Sequence, residues 1–192
     1  KKKCINKNSK KIIKAIIVVH VLGNAVDLTK LMKVCKKKKI KIIEDAAAAL
    51  GTKYIKGKYK NRYAGTIGDI GCFSFNGSKI ITCGNGGLLS TNDKKYFEYS
   101  KYLSTTACDK KIDYTHNNLG YNYRLSNVNA AIGLAQIEKI KKYLNKKKKI
   151  FNFYKKNLIS NNNLKVYVGP SYSNNNNYIS NIILKNSFLK RK

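Results

Sequence analysis

The sequence predicts an α/β protein built on a mostly parallel sheet, and three stretches in its first quarter carry that prediction. Residues 12–19 form an apolar, largely β-branched run, which is typical of a strand buried on both faces. Residues 40–43 form a second short apolar run. Between them, apolar residues at helical spacing predict an amphipathic helix: Leu28, Leu31, Met32 and Cys35. Strand, helix and strand in this order make a βαβ unit with parallel strands and a right-handed crossover.

Capping residues predict where the helices begin. Asp27 is placed to cap the first helix, and Asp93 to cap a second over residues 94–103. Ser126 is placed to cap a long helix from residue 127 to about residue 158. Further short strands are predicted at residues 72–75, 88–91, 166–168 and 179–184.

The composition indicates a chain that can fold around a core, since 43% of its 192 residues are hydrophobic. That length suits one domain or one and a fraction. A parallel α/β sheet needs more strands than these to cover its helices, so we expect a fold that is incomplete at both ends.

The net charge of +31 allows two interpretations. A basic chain is attracted to polyanions, which would fit a nucleic-acid-binding protein. The bases are nearly all lysine, spread along the chain among many Asn, Ile and Tyr residues, as an AT-rich coding sequence would give. No base-reading motif accompanies them, so we favour compositional bias and expect no specific nucleic-acid partner.

Cysteine spacing and the amino-terminal residues bear on the compartment. The five cysteines are widely spaced and lack a C-x-x-C pair, which argues against a zinc site or a disulfide framework. Residues 12–19 are too short for a membrane span, and no signal peptide precedes them. We therefore expect a cytoplasmic protein with reduced thiols and no membrane association.

Asp45 is the first candidate for chemistry, because it follows the second predicted strand directly. In open α/β sheets ligands bind at the carboxyl ends of the strands. A partly desolvated carboxylate there needs a cationic partner, and a protonated pyridine nitrogen is one. The alternative is that Glu44 or Asp45 caps a helix formed by the alanines at 46–49.

Lys79 is the second candidate, because a predicted strand leads into the polar turn that precedes it. A lysine confined beside small residues suits Schiff-base chemistry with an aldehyde. The alternative for any one lysine among so many is a solvated surface residue. Ser74 and the glycine-rich turn at residues 84–87 suit a phosphate, although hairpins use the same turn residues.

Several blocks, in order along the chain, resemble the DegT/DnrJ/EryC1/StrS family of pyridoxal-phosphate (PLP)-dependent sugar aminotransferases. They are Glu44-Asp45-Ala46-Ala47-Ala48-Ala49-Leu50-Gly51, Gly65-Thr66-Ile67-Gly68-Asp69-Ile70-Gly71, Phe73-Ser74-Phe75-Asn76-Gly77-Ser78-Lys79, Gly84-Asn85-Gly86-Gly87 and Gly120-Tyr121-Asn122-Tyr123-Arg124-Leu125-Ser126-Asn127. The resemblance implies the PLP-dependent transferase fold of type I. It also implies that residues 1–140 are part of the large PLP-binding domain and residues 141–192 the start of a truncated C-terminal small domain.

The resemblance implies roles for single residues. Lys79 would hold PLP covalently and move the proton, Asp45 would pair with the pyridine nitrogen, and Ser74 would bond the phosphate. Asn122 would reach the phosphate of a neighbouring subunit, which implies a homodimer with shared active sites. Ala48 would lie beside the cofactor, where the family commonly has Gln or His. His20 matches the family's histidine after the first strand and is expected to be structural, with a possible role in the site.

The reaction implied is transfer of an amino group from glutamate to a nucleotide-linked 4-keto-6-deoxy sugar, for surface glycan or polysaccharide biosynthesis. Residues 75–82 look like those of enzymes that aminate C4 of UDP-4-keto-6-deoxy-N-acetylhexosamines. A related branch that dehydrates sugars has His in place of the lysine, and Lys79 argues against it. The alternative within the family is a catalytically inactive, truncated remnant, which Ala48 favours.

Overall fold

The computed structural model describes residues 3–110, 112–159 and 163–184. Along the chain its elements are β1 (Ala15–Val19), α1 (Leu28–Lys38), β2 (Lys41–Asp45), β3 (Lys53–Tyr54), β4 (Ile70–Ser74), β5 (Gly87–Ser90), α2 (Lys94–Ser104), β6 (Cys108–Lys110), β7 (Thr115–His116), α3 (Asn127–Glu138), α4 (Ile140–Leu158), β8 (Leu164–Val166), β9 (Ser173–Asn174) and β10 (Ile182–Leu184). A short 3-10 turn at Val21–Gly23 follows β1.

The main sheet has four strands in the order β1-β2-β4-β5. Strands β1, β2 and β4 run parallel, and β5 returns antiparallel to β4. Val19, Asp45 and Cys72 are in register across the three parallel strands. The α/β class, the mostly parallel sheet and the first βαβ unit are therefore confirmed, and the carboxyl ends of β2 and β4 share one edge.

The predicted caps are confirmed, but the long helix is not one helix. The backbone N–H groups of Thr29, Lys95 and Asn129 donate to Asp27, Asp93 and Ser126 at 2.9, 2.9 and 3.2 Å. The helix divides at Lys139, whose φ and ψ of −99° and 7° leave the α-helical region. The division lets apolar residues at the start of α4 pack on the buried cluster around Phe75: Ile140, Tyr143 and Leu144.

The sheet is buried on one face and open on the other. Val18 and Ile42 project toward α1 and pack with Leu28 and Cys35. Ile17 and Val19 project the opposite way and are 65% and 46% exposed. Burial of the first strand on both faces is therefore wrong for this chain, because α1 covers only one side. No helix in the described ranges is long and apolar enough to cross a membrane.

A buried carboxylate joins the end of β1, the end of β2 and the segment that leads into β4. Glu44 and His20 are both fully buried, and His20 Nε2 lies 2.9 Å from Glu44 Oε2. The backbone N–H groups of Gly65, Ile67 and Gly68 also donate to Glu44, at 2.9, 2.6 and 2.5 Å. His20 Nδ1 accepts from the N–H of Val26 at 3.2 Å, so Nε2 carries the proton that is donated to Glu44.

These four hydrogen bonds decide the charge of Glu44. Burial alone would raise the pKa of its carboxyl group. The hydrogen bonds from His20 and from the three backbone N–H groups outweigh burial, and the pKa is lowered. Glu44 is therefore an ionised structural residue, and His20 is its structural partner.

We expect Glu44→Gln to destabilise the fold, because an uncharged amide with one acceptor oxygen cannot serve four donors. The free energy of unfolding in urea at pH 7 should fall by on the order of 3 kcal/mol. The matched control is Glu98→Gln on α2, whose exposed carboxylate lies 3.6 Å from Lys94 Nζ. An exposed pair of this kind contributes less than about 1 kcal/mol, so equal losses in the two variants would contradict the prediction.

Lowering the pH should weaken the hydrogen bonds to Glu44 and so decrease the free energy of unfolding. The folded-state pKa of Glu44 lies below the ordinary value of 4.5. The stabilisation is therefore fully present above pH 4.5 and is lost as the pH falls through the folded-state pKa. Below pH 4.5 the free energy of unfolding should fall more steeply for the wild type than for Glu44→Gln. Parallel curves in urea titrations across this range would rule out the assignment.

Candidate functional site

Two predicted site residues end neighbouring parallel strands. Asp45 is the last residue of β2 and Ser74 the last of β4. Asp45 is in register with Cys72, and alternation along β4 places Cys72 and Ser74 on the same face. Strand geometry separates the Cα atoms of Asp45 and Ser74 by about 8 Å. Both side chains therefore leave the open face of the sheet at its carboxyl edge.

The carboxylate of Asp45 is half-buried and keeps free acceptor capacity. Its Oδ1 accepts from the N–H of Ala47 at 3.0 Å. Residues 46–51 form turns, so the proposed capping of an alanine helix is wrong and Asp45 instead caps a turn. Within the described part of the chain no cation pairs with Asp45. Burial raises the pKa of the Cys72 thiol, and the charge of Asp45 raises it further.

Lys79 lies on a loop between β4 and β5 that is closed at its base. The N–H of Phe75 donates to Gly86 O at 2.9 Å, and Phe75 O accepts from Cys83 N at 3.1 Å. Ile80 and Ile81, which follow Lys79, are buried with Phe75. The N–H of Lys79 donates to Asn76 O at 3.0 Å. The backbone at Lys79 is thus held on both sides, while its side chain is half-buried.

The side chain of Lys79 meets a residue from the far end of the chain. Its Nζ lies 5.0 Å from the centre of the Tyr178 ring. The Tyr178 hydroxyl lies 3.2 Å from Ser78 Oγ. Two residues earlier, the buried Asn176 donates from Nδ2 to the carbonyl of Ala48 at 2.8 Å. Ala48 and Lys79, both predicted site residues, therefore contact the same returning segment, which no motif in the sequence indicated.

The glycine-rich turn serves the connection from β4 to β5. Gly84 N donates to Thr82 Oγ1 at 3.0 Å, and Gly86 adopts a φ of +121° that favours glycine. Residues 84–87 therefore form a hairpin turn, which is the alternative to a phosphate-binding turn that the sequence allowed. Ser74 Oγ accepts only weakly from Asn76 N, at 3.4 Å, so its O–H can still donate to another group. A phosphate at Ser74 stays a prediction.

Asn122 lies on the segment that connects β7 to α3. It forms an isolated antiparallel β-bridge with Thr105. Its neighbours Tyr121 and Tyr123 are exposed, and their rings stack with centres 5.0 Å apart. Across the described ranges no hydrogen bond joins Asn122 to Asp45, Ser74 or Lys79. Asp45, Ala48, Ser74 and Lys79 therefore lie on the strand ends and connections at the carboxyl edge of the sheet, and Asn122 lies on a separate segment of the chain.

The groups at this edge fit the chemistry of pyridoxal phosphate. An unpaired carboxylate, a primary amine and a hydroxyl correspond to the pyridine nitrogen, the aldehyde and the phosphate of that cofactor. Among the residues that the structure describes, no group of three or more His, Cys, Asp or Glu side chains could hold a metal ion. All five cysteines are free thiols.

Known proteins share both sequence and fold with this chain. A GDP-perosamine synthase of Escherichia coli O157:H7 is 41% identical over 147 residues, which are 77% of this chain and 39% of that protein. A UDP-4-amino-4,6-dideoxy-N-acetyl-beta-L-altrosamine transaminase of Campylobacter jejuni is 34% identical over 182 residues, 94% of this chain and 47% of that protein. The chain thus spans less than half the length of these two relatives.

Solved structures agree with the sequence relatives. The aminotransferase PseC of Helicobacter pylori, involved in pseudoaminic acid biosynthesis, superimposes with a TM-score of 0.79 at 26% identity, covering 89% of this chain and 46% of that one. An E. coli GDP-4-keto-6-deoxy-D-mannose-3-dehydratase with bound hydrated PLP gives a TM-score of 0.79 at 21% identity over 93% and 49% of the two chains, which shows the fold alone.

The family profile covers nearly the whole chain. The DegT/DnrJ/EryC1/StrS aminotransferase family matches residues 2–192. The sequence relatives and the shared fold agree with that match. The chain therefore belongs to the DegT/DnrJ/EryC1/StrS family of PLP-dependent sugar aminotransferases.

Proposed function

We propose that this chain carries the PLP site of an aminotransferase that moves an amino group from glutamate to a nucleotide-linked 4-keto-6-deoxy sugar. The observation that carries the proposal is the placement of Lys79 on an anchored loop at the same sheet edge as Asp45. Asp45 has no cationic partner among the described residues, and a protonated pyridine nitrogen would supply one.

Each residue at the edge has a task in this proposal. When bound, PLP supplies an electron sink beside the carbon that exchanges its amino group. Asp45 keeps a proton on the ring nitrogen, and the Ser74 hydroxyl donates to the phosphate. Lys79 would hold the cofactor covalently and, as a free amine, would accept and return the proton that the amino transfer moves. Ala48, which the family resemblance puts beside the cofactor, would offer it no side-chain hydrogen bond.

The substrate class follows from the relatives' names and from charge. One relative is named for a GDP-linked sugar and the other for a UDP-linked sugar, so a nucleoside diphosphate is the shared feature. The excess of lysine in this chain suits a diphosphate electrostatically. We place the reaction in the cytoplasm and in the biosynthesis of surface glycans.

A second copy of the chain is part of the proposal. Within the described ranges Asn122 makes no hydrogen bond to Asp45, Ser74 or Lys79. Its own segment and α3 carry exposed apolar residues: Leu119, Tyr123, Val128 and Leu134. An apolar surface of this kind is typical of an interface between subunits. In a homodimer it would let Asn122 reach the phosphate in the partner's site.

A second candidate function is a catalytically inactive member of the family. One observation favours it: Ala48 offers no side-chain hydrogen bond at a position that the family resemblance puts beside the cofactor. Whether PLP binds at Lys79 is the first measurement that distinguishes the active aminotransferase from the inactive family member.

We expect PLP, added in equimolar amount, to give a visible absorbance band, which borohydride removes as it reduces the C=N bond and leaves the cofactor permanently attached to Lys79. Lys79→Ala should lose the band, because the amine that bonds the aldehyde is gone. Lys94→Ala is the matched control, since its side chain is 85% exposed on α2 and should leave the band unchanged. Absorbance spectra and peptide mass spectrometry measure both. A band that survives Lys79→Ala would contradict the assignment, and no band in any variant would favour the inactive member.

The homodimer is tested at α3. Val128 is 70% exposed there, so Val128→Glu should leave the fold intact but place a charge in the proposed interface. Sedimentation velocity should show a dimer for the wild type and a monomer for Val128→Glu. The control is Val34→Glu on α1, where the valine is 55% exposed and the dimer should persist. A monomeric wild type, or dissociation of both variants, would exclude α3 as the contact.

A further inference from the structure

The segment between β8 and β10 brings an aromatic side chain to the cofactor lysine. Tyr178 is 99 positions after Lys79 in the chain, yet its ring centre lies 5.0 Å from Lys79 Nζ. We infer that Tyr178 is a positioning residue for Lys79, an inference that rests on the proposed function of that lysine. The ring provides a fixed place for the amine whenever it is not bonded to the cofactor.

Tyr178 can act in this way because its backbone is anchored on two sides. The N–H of Tyr178 donates to Asn176 Oδ1 at 3.0 Å. Asn176 is 3% exposed, and it donates from Nδ2 to the carbonyls of Ala48 and Leu50 at 2.8 and 2.9 Å. From α4, Lys147 Nζ donates to the carbonyl of Tyr178 at 3.1 Å. The segment is thus tied to the turn after β2 and to a helix.

The two ends of the Tyr178 side chain contact two consecutive residues of the lysine loop. The ring face attracts the ammonium group of Lys79, because the face of an aromatic ring carries negative charge. The hydroxyl, 3.2 Å from Ser78 Oγ, fixes the ring relative to the loop. Rotation of the Lys79 side chain into solvent would therefore lose the ring contact, and the half-buried amine stays at the sheet edge.

This contact suits the task proposed for Lys79. A lysine that releases the cofactor and then carries a proton must remain near the reacting carbons while it is cationic. The ring face holds the ammonium group near the sheet edge and leaves the making and breaking of bonds to Lys79 itself. Tyr178 touches the reaction only through that lysine, so its loss should alter the behaviour of the free amine.

The test measures the reactivity of the free amine without cofactor. Trace acetylation with acetic anhydride, quantified by peptide mass spectrometry, reports each lysine separately. In Tyr178→Leu, which keeps an apolar side chain but no ring, acetylation of Lys79 should rise about two- to fivefold, as expected for loss of one cation–π contact. Tyr178→Phe keeps the ring but loses the hydroxyl that fixes it, so acetylation of Lys79 should rise less than in Tyr178→Leu. Lys147 is the internal control, because it bonds only the backbone of Tyr178 and should be unchanged.

Unchanged acetylation of Lys79 in Tyr178→Leu would overturn the inference, and so would equal increases in the leucine and phenylalanine variants. An increase in the reactivity of Lys147 as well would show that the substitution has detached the Tyr178 segment from α4. The ring contact is then measured in the protein that keeps its native Tyr178. Lysines carrying ¹³C-methyl groups from reductive methylation should then give an upfield-shifted resonance that Lys79→Arg removes, in addition to those of the other lysines that lie over tyrosine rings, Lys41, Lys53 and Lys58. Absence of that resonance would overturn the inference. Because neither measurement uses PLP, failure of the proposed cofactor site would be recognised separately, by its absorbance band.

Discussion

The ionised carboxylate of Glu44 is the interaction on which the rest of the structure depends. It is fully buried, and its four hydrogen bonds connect the residue after β1, strand β2 and the segment that leads to β4. A buried charge is stable only when hydrogen bonds or an opposite charge compensate for its loss of hydration. These three parts of the chain must therefore keep fixed positions relative to one another. The order of the central strands follows from that requirement.

Burial of Glu44 also determines which face of the sheet carries the side chain of Asp45. Side chains alternate along a strand, so burial of Glu44 on one face sends Asp45 to the other, at the carboxyl edge. The connection toward β4 is equally constrained. Gly65 lies against Gly71 so closely that a side chain on Gly71 would overlap the Gly65 carbonyl. The structural network and the candidate site therefore occupy opposite faces of one strand end, which separates stability from chemistry.

The open face of the sheet and the surface of α3 both expose apolar side chains. Ile17 and Val19 are exposed on the sheet face that also carries Asp45 and Ser74, and α3 exposes apolar residues beside Asn122. Surfaces of this kind are normally covered by other protein. A cofactor at the sheet edge would thus be enclosed partly by this chain, through Asn176 and Tyr178, and partly by protein from outside the described residues.

The sequence by itself determined the α/β class, the first βαβ unit, the three helix caps and the family, because periodicity, caps and motifs are recorded within a few neighbouring residues. It left open whether Glu44 or Asp45 caps an alanine helix after β2, and it missed the division at Lys139. The tertiary structure decided both, since each depends on what packs against the element. It alone brought Tyr178 to Lys79 and β9 to β3. Contacts across a hundred residues arise from how packed elements meet, and no local pattern encodes them.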